Sequence, residues 1–318
     1  MEREKRMERI TLKNSDLKVS RLCFGGCPMG GYGWGKVSEE DLIEAVQCAI
    51  EEGVNFFDNA DTYGLGKSEE ILAKALGDMR RHVVIGTKFG VRIENGRTFY
   101  DNSPEWIEKA LVGSLKRLNT DYIDLYQVHY RDGHTPISVV LETLERMKAK
   151  GYIRYFGLSN IHQEDLSELK NHVGDFVSFQ DEYSLACRKN EADMIGLSKE
   201  LQLTPITWGS LGQGILTGKY DKHTVFGSDD RRSRDIYVNF HGEKLLKNLE
   251  IVEELKAISK EVGKTVSAVA IRWILDYLPE SAVIVGIKNK RQLYGNVESL
   301  DWQLTEGQKE RLTAISND

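Results

Sequence analysis

Short apolar segments alternate with amphipathic segments along this chain, and that alternation constrains the fold more than any other feature. Eight of the apolar segments have the length and residue types of buried β-strands. They are Leu22–Gly26, Asn55–Asp58, Val83–Lys88, Ile123–His129, Arg154–Ser159, Phe176–Gln180, Pro205–Trp208 and Ala282–Gly286. Alternation of strands and helices with short connections is typical of parallel strands joined by right-handed crossovers. Eight such units predict an α/β fold, a closed (β/α)8 or TIM barrel rather than an open sheet.

The segments between the strands carry helix start and stop signals. Ser38-Glu39-Glu40-Asp41 resembles a capping box with Asp in place of Glu, and Gly53 ends the helix that follows. Ser103-Pro104 supplies a cap and then a proline at the first helical position of another helix. Five further helical patterns and two extra carboxyl-terminal ones are predicted at Leu141–Lys150, Glu164–Val173, Ala192–Leu201, Lys247–Val262, Ser267–Tyr277, Arg291–Leu300 and Glu306–Thr313.

A short β-hairpin is predicted before the barrel. Its strands are Met7–Leu12 and Leu17–Leu22, and the residues between them have turn chemistry. The regular spacing breaks between the seventh and eighth strands, where a glycine-rich loop contains the charged tract Asp229–Asp235. No linker-like composition interrupts the chain, so residues 1–318 are interpreted as a single domain.

Charge and composition exclude several classes of protein. The net charge of −6 is spread along the chain, without the basic stripe that a nucleic-acid-binding protein needs. The charged segment Met1–Arg9 is not expected to be a signal peptide or an anchor, and no apolar run is long enough to cross a membrane. No Cys-x-x-Cys pair occurs, so neither a zinc site nor a disulfide framework is expected. These features together predict a cytoplasmic protein that holds no metal.

Polar residues follow successive predicted strands. Asp58, with Tyr63 just beyond it, Lys88 and His129 stand at or after the ends of the second, third and fourth strands, which meet at one end of a barrel. Each alone has a simpler interpretation, as a turn cap, a packing residue, an ion-pair partner or a rim histidine. Together they suit carbonyl reduction, because a tyrosine hydroxyl can protonate the forming alkoxide. A nearby lysine is expected to lower the tyrosine pKa, while an aspartate holds the lysine and a histidine orients the carbonyl.

Several motifs closely resemble those of the aldo-keto reductase superfamily, from about Val19 to Val297. They are Asp58-Asn59-Ala60-Asp61-Thr62-Tyr63-Gly64, Gly86-Thr87-Lys88, Asp121-Tyr122-Ile123-Asp124-Leu125-Tyr126-Gln127-Val128-His129, Gly157-Leu158-Ser159-Asn160 and Gln180-Asp181-Glu182-Tyr183-Ser184. The resemblance implies a (β/α)8 barrel that uses a nicotinamide cofactor, usually NADPH, to reduce aldehydes and ketones or to run the reverse reaction. It also implies Tyr63 as the general acid, Lys88 and Asp58 as its tuning pair, and His129 as the orienting residue.

The same resemblance implies which residues hold the cofactor. Ser159, Asn160 and Gln180 would bind the nicotinamide carboxamide. Trp208 would stack on the ring, and Lys288 would lie near a 2′-phosphate. The other implied cofactor residues are Gly26, Gly209, Ser210, Leu211, Gly212, Gln213, Gly214, Lys219, Asn289, Gln292 and Asn296, with Leu211–Gly214 presenting backbone amides to the pyrophosphate. Many family members have an arginine where Gln292 falls, which weakens the preference for NADP(H) over NAD(H) without removing it.

The expected substrate is a small carbonyl compound or alcohol in a pocket that includes Cys27, Trp34 and Tyr130. Cys27 stands where many members have a tryptophan, so the pocket is expected to be wider on that side. Asp61 is expected to shape its loop. The sequence leaves open the role of Asp181, the identity of the substrate and the oligomeric state.

Two other functions stay open at this stage. Potassium-channel β subunits share the implied fold and a similar Gly-x-x-x-Gly-Lys-Tyr loop, so the chain could be a slow, cofactor-binding regulatory module. The lack of an added amino-terminal segment favours the enzyme. An aldolase would use Lys88 as a Schiff-base lysine, but this leaves Tyr63 unexplained.

Overall fold

A small antiparallel hairpin begins the fold in the computed structural model, which describes residues 7–317. Its strands are β1 (Arg9–Thr11) and β2 (Lys18–Ser20), with Ile10 opposite Val19. Val19, together with Leu12 and Leu17 on either side of the hairpin loop, is buried against inward-facing apolar residues of the barrel, such as Cys23. The predicted hairpin is therefore confirmed, with shorter strands, and it closes the amino-terminal end of the barrel. The expectation about a signal peptide or anchor falls mainly on residues 1–6, outside the described residues.

Parallel strands form the closed barrel at the centre of the molecule. In chain order the remaining strands are β3 (Leu22–Gly25), β4 (Phe56–Asp58), β5 (Val84–Phe89), β6 (Val91–Glu94), β7 (Arg97–Tyr100), β8 (Ile123–Val128), β9 (Ile153–Ser159), β10 (Ser178–Glu182), β11 (Thr204–Trp208) and β12 (Ala282–Gly286). Within residues 7–317 the barrel order is β10-β11-β12-β3-β4-β5-β8-β9. All eight predicted strands are confirmed, with bounds shifted by at most two residues, and their carboxyl ends meet at one rim.

Helices surround the barrel and bury their apolar faces against it. They are α1 (Glu39–Glu51), α2 (Lys67–Leu76), α3 (Pro104–Arg117), α4 (Ile137–Ala149), α5 (Leu166–Leu169), α6 (Glu191–Glu200), α7 (Gly242–Val262), α8 (Val266–Tyr277), α9 (Lys290–Val297) and α10 (Glu306–Ile315). Two predicted caps are present, since Ser38 Oγ accepts the Asp41 amide and Ser103 Oγ accepts the Trp106 amide, each at 3.3 Å. Among the described residues, no helix is both long and apolar enough to span a membrane.

The structure departs from the prediction in three places. The helix predicted at Glu164–Val173 is present only in part: α5 is a single α-helical turn between 3-10 turns at Gln163–Asp165 and Lys170–His172. Helix α2, which follows the tyrosine loop, was not predicted. Hairpin β6–β7 was also missed, although the Asn95-Gly96 pair at its turn is a strong hairpin signal.

The loop that carries Tyr63 packs backbone to backbone on the 3-10 turn that follows β3. Gly64 has φ of +61°, and a Cβ there would lie 2.3 Å from the Gly30 carbonyl oxygen. A Cβ on Gly30 would in turn lie 2.6 Å from the Gly64 amide nitrogen. Both positions therefore require glycine, and this close approach sets the position of Tyr63.

We expect Gly64→Ala to lower the free energy of unfolding by on the order of 3 kcal/mol, because strain and overpacking add. Gly263→Ala is the matched control: its φ is +66° with nothing within 4 Å of the added Cβ, so it should cost about 1–2 kcal/mol from backbone strain alone. Urea denaturation of both variants measures the difference. Equal losses would show that the Gly30 contact adds no constraint.

Candidate active site

A buried ion pair lies under the carboxyl rim of the barrel. Lys88 Nζ, from β5, is 2.5 Å from Asp58 Oδ2, from the neighbouring strand β4, and donates to the Asn59 carbonyl oxygen at 2.8 Å. Lys88 is 2% exposed and Asp58 3% exposed. Because a buried charge is costly unless it is paired, each of these residues depends on the other.

Two glutamines complete the surroundings of the Asp58 carboxylate. Gln180 Nε2, from β10, donates to Asp58 Oδ1 at 2.5 Å, and Gln127 Nε2, from β8, donates to the same oxygen at 3.2 Å. Gln180 Nε2 also lies 2.9 Å from Gln127 Oε1. Gln127 was missed as a site residue, although it stands in the motif that ends at His129. Gln180 was predicted to bind cofactor. Because its amide nitrogen donates to Asp58, its amide oxygen is the atom left for a ligand.

Tyr63 brings a hydroxyl group to the Lys88 cation. Its oxygen lies 3.4 Å from Lys88 Nζ, and its ring stands edge-on to the His129 ring at 6.1 Å. The expectation that the lysine lowers the tyrosine pKa is not met. Burial raises the pKa of Tyr63 well above its ordinary value, and nearby Cys27 and Asp58 raise it further. The main cause is burial, which disfavours the phenolate, while Lys88 Nζ lies closer to Asp58 Oδ2, at 2.5 Å, than to the Tyr63 oxygen.

His129 is a neutral imidazole in this setting. Burial lowers its pKa well below the ordinary value, and the positive charge of Lys88 lowers it further. Its Nδ1 is buried without a hydrogen-bond partner among residues 7–317. The ring stacks on Tyr130, which in turn stacks on Tyr100 of the hairpin β6–β7, each pair at 5.1 Å. The missed hairpin thus contributes a wall of the site.

A cavity of about 1600 Å³ runs from these residues toward the loop after β12. It exceeds the usual 300–1,000 Å³ of a pocket for one small molecule. Of all the predicted site residues, Gly212 alone does not line it. The lining includes the predicted residues Gly26, Cys27, Trp34, Asp58, Tyr63, Lys88, His129, Tyr130, Ser159, Asn160, Gln180, Trp208, Gly209, Ser210, Leu211, Gln213, Gly214, Lys219, Lys288, Asn289, Gln292 and Asn296.

The end of β9 is held in an unusual backbone conformation beside the cavity. Asn160 has φ of +55°. Its Nδ2 donates to the His129 carbonyl oxygen at 2.9 Å and to Ser159 Oγ at 3.0 Å, and its backbone amide donates to the Gln180 carbonyl oxygen at 2.8 Å. The three residues predicted for the carboxamide are therefore linked to one another and to His129.

The loop after β11 does not present all of the amides that were expected. The Gly212 amide donates to the Gly209 carbonyl oxygen at 2.7 Å, and the Gly214 amide donates to that of Leu211 at 2.9 Å. Two of the four amides assigned to a pyrophosphate are therefore used within the loop. The loop needs this internal bonding because it makes tight turns, with positive φ at each position from Gly212 to Gly214.

Positive charge gathers at the far end of the cavity. Lys219, Arg232 and Lys288 all line it, and Arg232 is buried with its guanidinium 2.5 Å from Asp230 Oδ2. Burial, together with the charges of Arg232 and Lys219, lowers the pKa of Lys288 to about 8, and Asp230 opposes that shift. This end therefore favours an anionic ligand. Arg232 was missed as a site residue, because the tract Asp229–Asp235 was interpreted only as a charged part of the loop between the seventh and eighth strands.

That tract also closes one side of the cavity. The Arg231 amide donates to the Gly33 carbonyl oxygen at 2.9 Å, and its guanidinium lies 4.7 Å from the centre of the Tyr32 ring. The Lys288 ammonium donates to the Trp34 carbonyl oxygen. The loop after β3 and the loop after β11 thus meet over the cavity.

Asp61 remains without a chemical role. Its Oδ1 is buried without a hydrogen-bond partner in the described part of the chain. Burial and the nearby Glu69 carboxylate raise the pKa of Asp61 to about 7.

We expect Lys88→Met to lower the free energy of unfolding by about 3–5 kcal/mol, because it leaves the Asp58 carboxylate buried without a cation. Adding Asp58→Asn to Lys88→Met should restore much of this loss, since it removes the unpaired charge. Urea denaturation of the two single variants and the double variant measures the coupling. Simple addition of the two losses would contradict the interpretation of a mutually dependent pair.

The chain is similar to known proteins along nearly all of its length. The model of the aldo/keto reductase family matches residues 21–317. The chain is 33% identical to the aldo-keto reductase YhdN of Bacillus subtilis, over 98% of this chain and 94% of that protein. It is also 33% identical to a probable voltage-gated potassium channel β subunit of Arabidopsis thaliana, over 93% and 92% of the two chains. Among solved structures, the glycerol dehydrogenase of Gluconobacter oxydans matches with a TM-score of 0.87 and 31% identity, over 96% and 94% of the two chains.

Proposed function

The chain belongs to the aldo/keto reductase family, and we propose that it is an NADP(H)-dependent oxidoreductase that converts aldehydes or ketones to alcohols, or the reverse. The observation that carries the proposal is the position of the Tyr63 hydroxyl, 3.4 Å from a buried lysine cation at the floor of a long cavity. The proposed substrate is therefore a small carbonyl compound or alcohol that reaches Tyr63 and His129.

The side chains at the cavity floor have the properties that proton donation to a carbonyl oxygen needs. The bound cofactor would supply hydride to the carbonyl carbon. Tyr63 keeps its proton until negative charge develops on the substrate oxygen, because its pKa is raised. The O–H bond of Tyr63 then breaks as the new alcohol O–H bond forms. Lys88 stabilises the resulting phenolate, and Asp58 holds Lys88 in place.

His129 would orient the carbonyl group. As a neutral imidazole it carries one N–H, so it can donate a hydrogen bond to the carbonyl oxygen without adding a full positive charge beside Lys88. The positive charge of Lys88 would repel a protonated His129. This repulsion, after burial, is one cause of the lowered pKa of His129.

The far end of the cavity fits the phosphate groups of a dinucleotide. Lys219, Arg232 and Lys288 line it, and Asp230 is engaged by Arg232. An anion near Lys288 would relieve the unfavourable cluster of cations that lowers its pKa. We propose that Lys288 contacts the 2′-phosphate, which favours NADP(H) over NAD(H). Gln292 supports the loop, since its Oε1 accepts the Lys288 backbone amide at 2.9 Å.

The regulatory alternative is the less favoured one. A module that only holds a cofactor has no need for a proton donor beside a buried ion pair, whereas the proposed reaction uses both. Turnover of a carbonyl substrate distinguishes the two functions directly.

We expect Tyr63→Phe to lower kcat by about 10²–10⁴-fold, because it removes the proton donor. The affinity for NADPH should change little. Oxidation of NADPH with a panel of aldehydes and ketones measures the first quantity, and fluorescence titration measures the second. Tyr155→Phe is the control, since that ring lies outside the cavity lining. Loss of NADPH binding in Tyr63→Phe would contradict the role assigned to Tyr63.

We expect Lys288→Ala to weaken NADPH binding by about 10–100-fold and NADH binding far less, because it removes a charged hydrogen bond to the 2′-phosphate. Lys290→Ala is the control, since Lys290 is exposed and pairs with Glu44 instead. Titration with both cofactors measures the effect. Equal weakening of NADPH and NADH would contradict the assignment.

The pH dependence of NADPH binding is a second test of the role assigned to Lys288. The pKa of Lys288 is about 8 in the free protein, and a bound phosphate favours the protonated form. NADPH affinity should therefore be highest below pH 8 and should fall as pH rises through that value. The fall should be absent in Lys288→Ala.

A further inference from the structure

A histidine and two aspartates meet on the outer side of the barrel. His162 follows β9, Asp181 lies in β10 and Asp193 lies in α6. Successive side chains of a strand point to opposite faces. Gln180 points inward to Asp58, so Asp181 points outward to the helix layer. The three residues are absent from the cavity lining.

Their potential ligand atoms have the spacing of a small coordination sphere. His162 Nδ1 is 3.0 Å from Asp193 Oδ2 and 3.6 Å from Asp181 Oδ2, and all the ligand atoms lie within 4.8 Å of one another. Metal–ligand bonds of about 2.0–2.2 Å to tetrahedral Zn²⁺ place neighbouring ligand atoms roughly 3.3–3.5 Å apart. The two distances from His162 Nδ1, 3.0 and 3.6 Å, lie on either side of that range, and the two carboxylates, within 4.8 Å of each other, need to move only slightly closer.

Asp181 supplies an independent observation. It is 2% exposed, and its Oδ2 is buried without a hydrogen-bond partner in residues 7–317. Its other oxygen accepts from the Glu182 amide at 2.7 Å and from Asn190 Nδ2 at 2.9 Å. The carboxylate is thus held on one side and directs an unpartnered oxygen toward His162 and Asp193. Buried polar atoms are rarely left in this state without a ligand.

We propose that His162, Asp181 and Asp193 bind a divalent transition-metal ion, with Zn²⁺ as the best match. The imidazole nitrogen and the two carboxylate oxygens are donor types that Zn²⁺ accepts, and a water molecule would complete the tetrahedron. Asn190 supports Asp181 from outside the ligand set, as metal ligands usually require. The half-exposed His162 side chain, at 40%, leaves an entry path.

The ion would add a direct link between the side chains of three elements. It would tie the loop after β9, the end of β10 and the start of α6 together. Its role is structural, because the site faces away from Tyr63 and the proposed reaction uses no metal.

Co²⁺ serves as the probe, because a tetrahedral Co²⁺ site absorbs visible light. The full chain is first freed of metal with EDTA and then titrated with Co²⁺, followed by competition with Zn²⁺. We expect a single Co²⁺ per chain with tetrahedral absorption that Zn²⁺ displaces. His162→Gln and Asp193→Asn should each lower the affinity at least tenfold. His172→Gln should not, since His172 and Asp175 form an exposed pair at 3.2 Å without a third ligand.

Thermal unfolding with and without Zn²⁺ gives a readout that does not depend on the probe. The midpoint of the wild type should rise with Zn²⁺, and those of His162→Gln and Asp193→Asn should not. Both variants should match the metal-free wild type in circular dichroism, which shows that they fold. Equal Co²⁺ affinity in all four proteins would overturn the proposal. So would a wild-type midpoint that responds to pH but not to Zn²⁺, since a protonated histidine would then bridge the two carboxylates.

Discussion

The contact between Asp58 and Lys88 is the constraint on which the rest of the site depends. Two opposite charges are buried 2.5 Å apart where the barrel is otherwise apolar below them. Such a pair is stable only if its remaining donors and acceptors are satisfied. Gln127, from the strand β8 that pairs with β5, and Gln180, from β10, do so. The site thus depends on the four strands β4, β5, β8 and β10, while the contact between Gly30 and Gly64 sets the position of Tyr63 beside Lys88.

Charge is balanced at one end of the cavity and left unbalanced at the other. At the floor, the negative charge of Asp58 balances the positive charge of Lys88. That end of the cavity therefore suits a neutral carbonyl group. At the far end, Lys219, Arg232 and Lys288 face the cavity while Asp230 is engaged by Arg232. The two ends of the cavity therefore differ in net charge. A long ligand with an anionic end can bind in one orientation, and that orientation leaves its other end beside Tyr63.

The barrel and most of the site could be predicted because both depend on local patterns. Apolar strands and helix caps are visible in short windows, and the carboxyl ends of barrel strands are known to converge. The failures have other causes. The rise in the Tyr63 pKa comes mainly from burial, which depends on packing that only the three-dimensional structure shows. Gln127 acts through a contact with Asp58, 69 residues away. The segment Glu164–Val173 is divided into α-helical and 3-10 turns, a distinction that its apolar pattern does not show.

Strand β10 connects the site to the outer cluster, and its geometry limits what that cluster can do. Gln180 supports the Asp58 carboxylate from inside the barrel, while the next residue, Asp181, faces the helices. A substitution or a bound ion at Asp181 can therefore affect Asp58 only by shifting or stiffening strand β10. Since β10 is paired on both sides, to β9 and β11, it resists displacement. Occupancy of the outer site should thus change the rigidity of the rim and leave the chemistry of Tyr63 as it is.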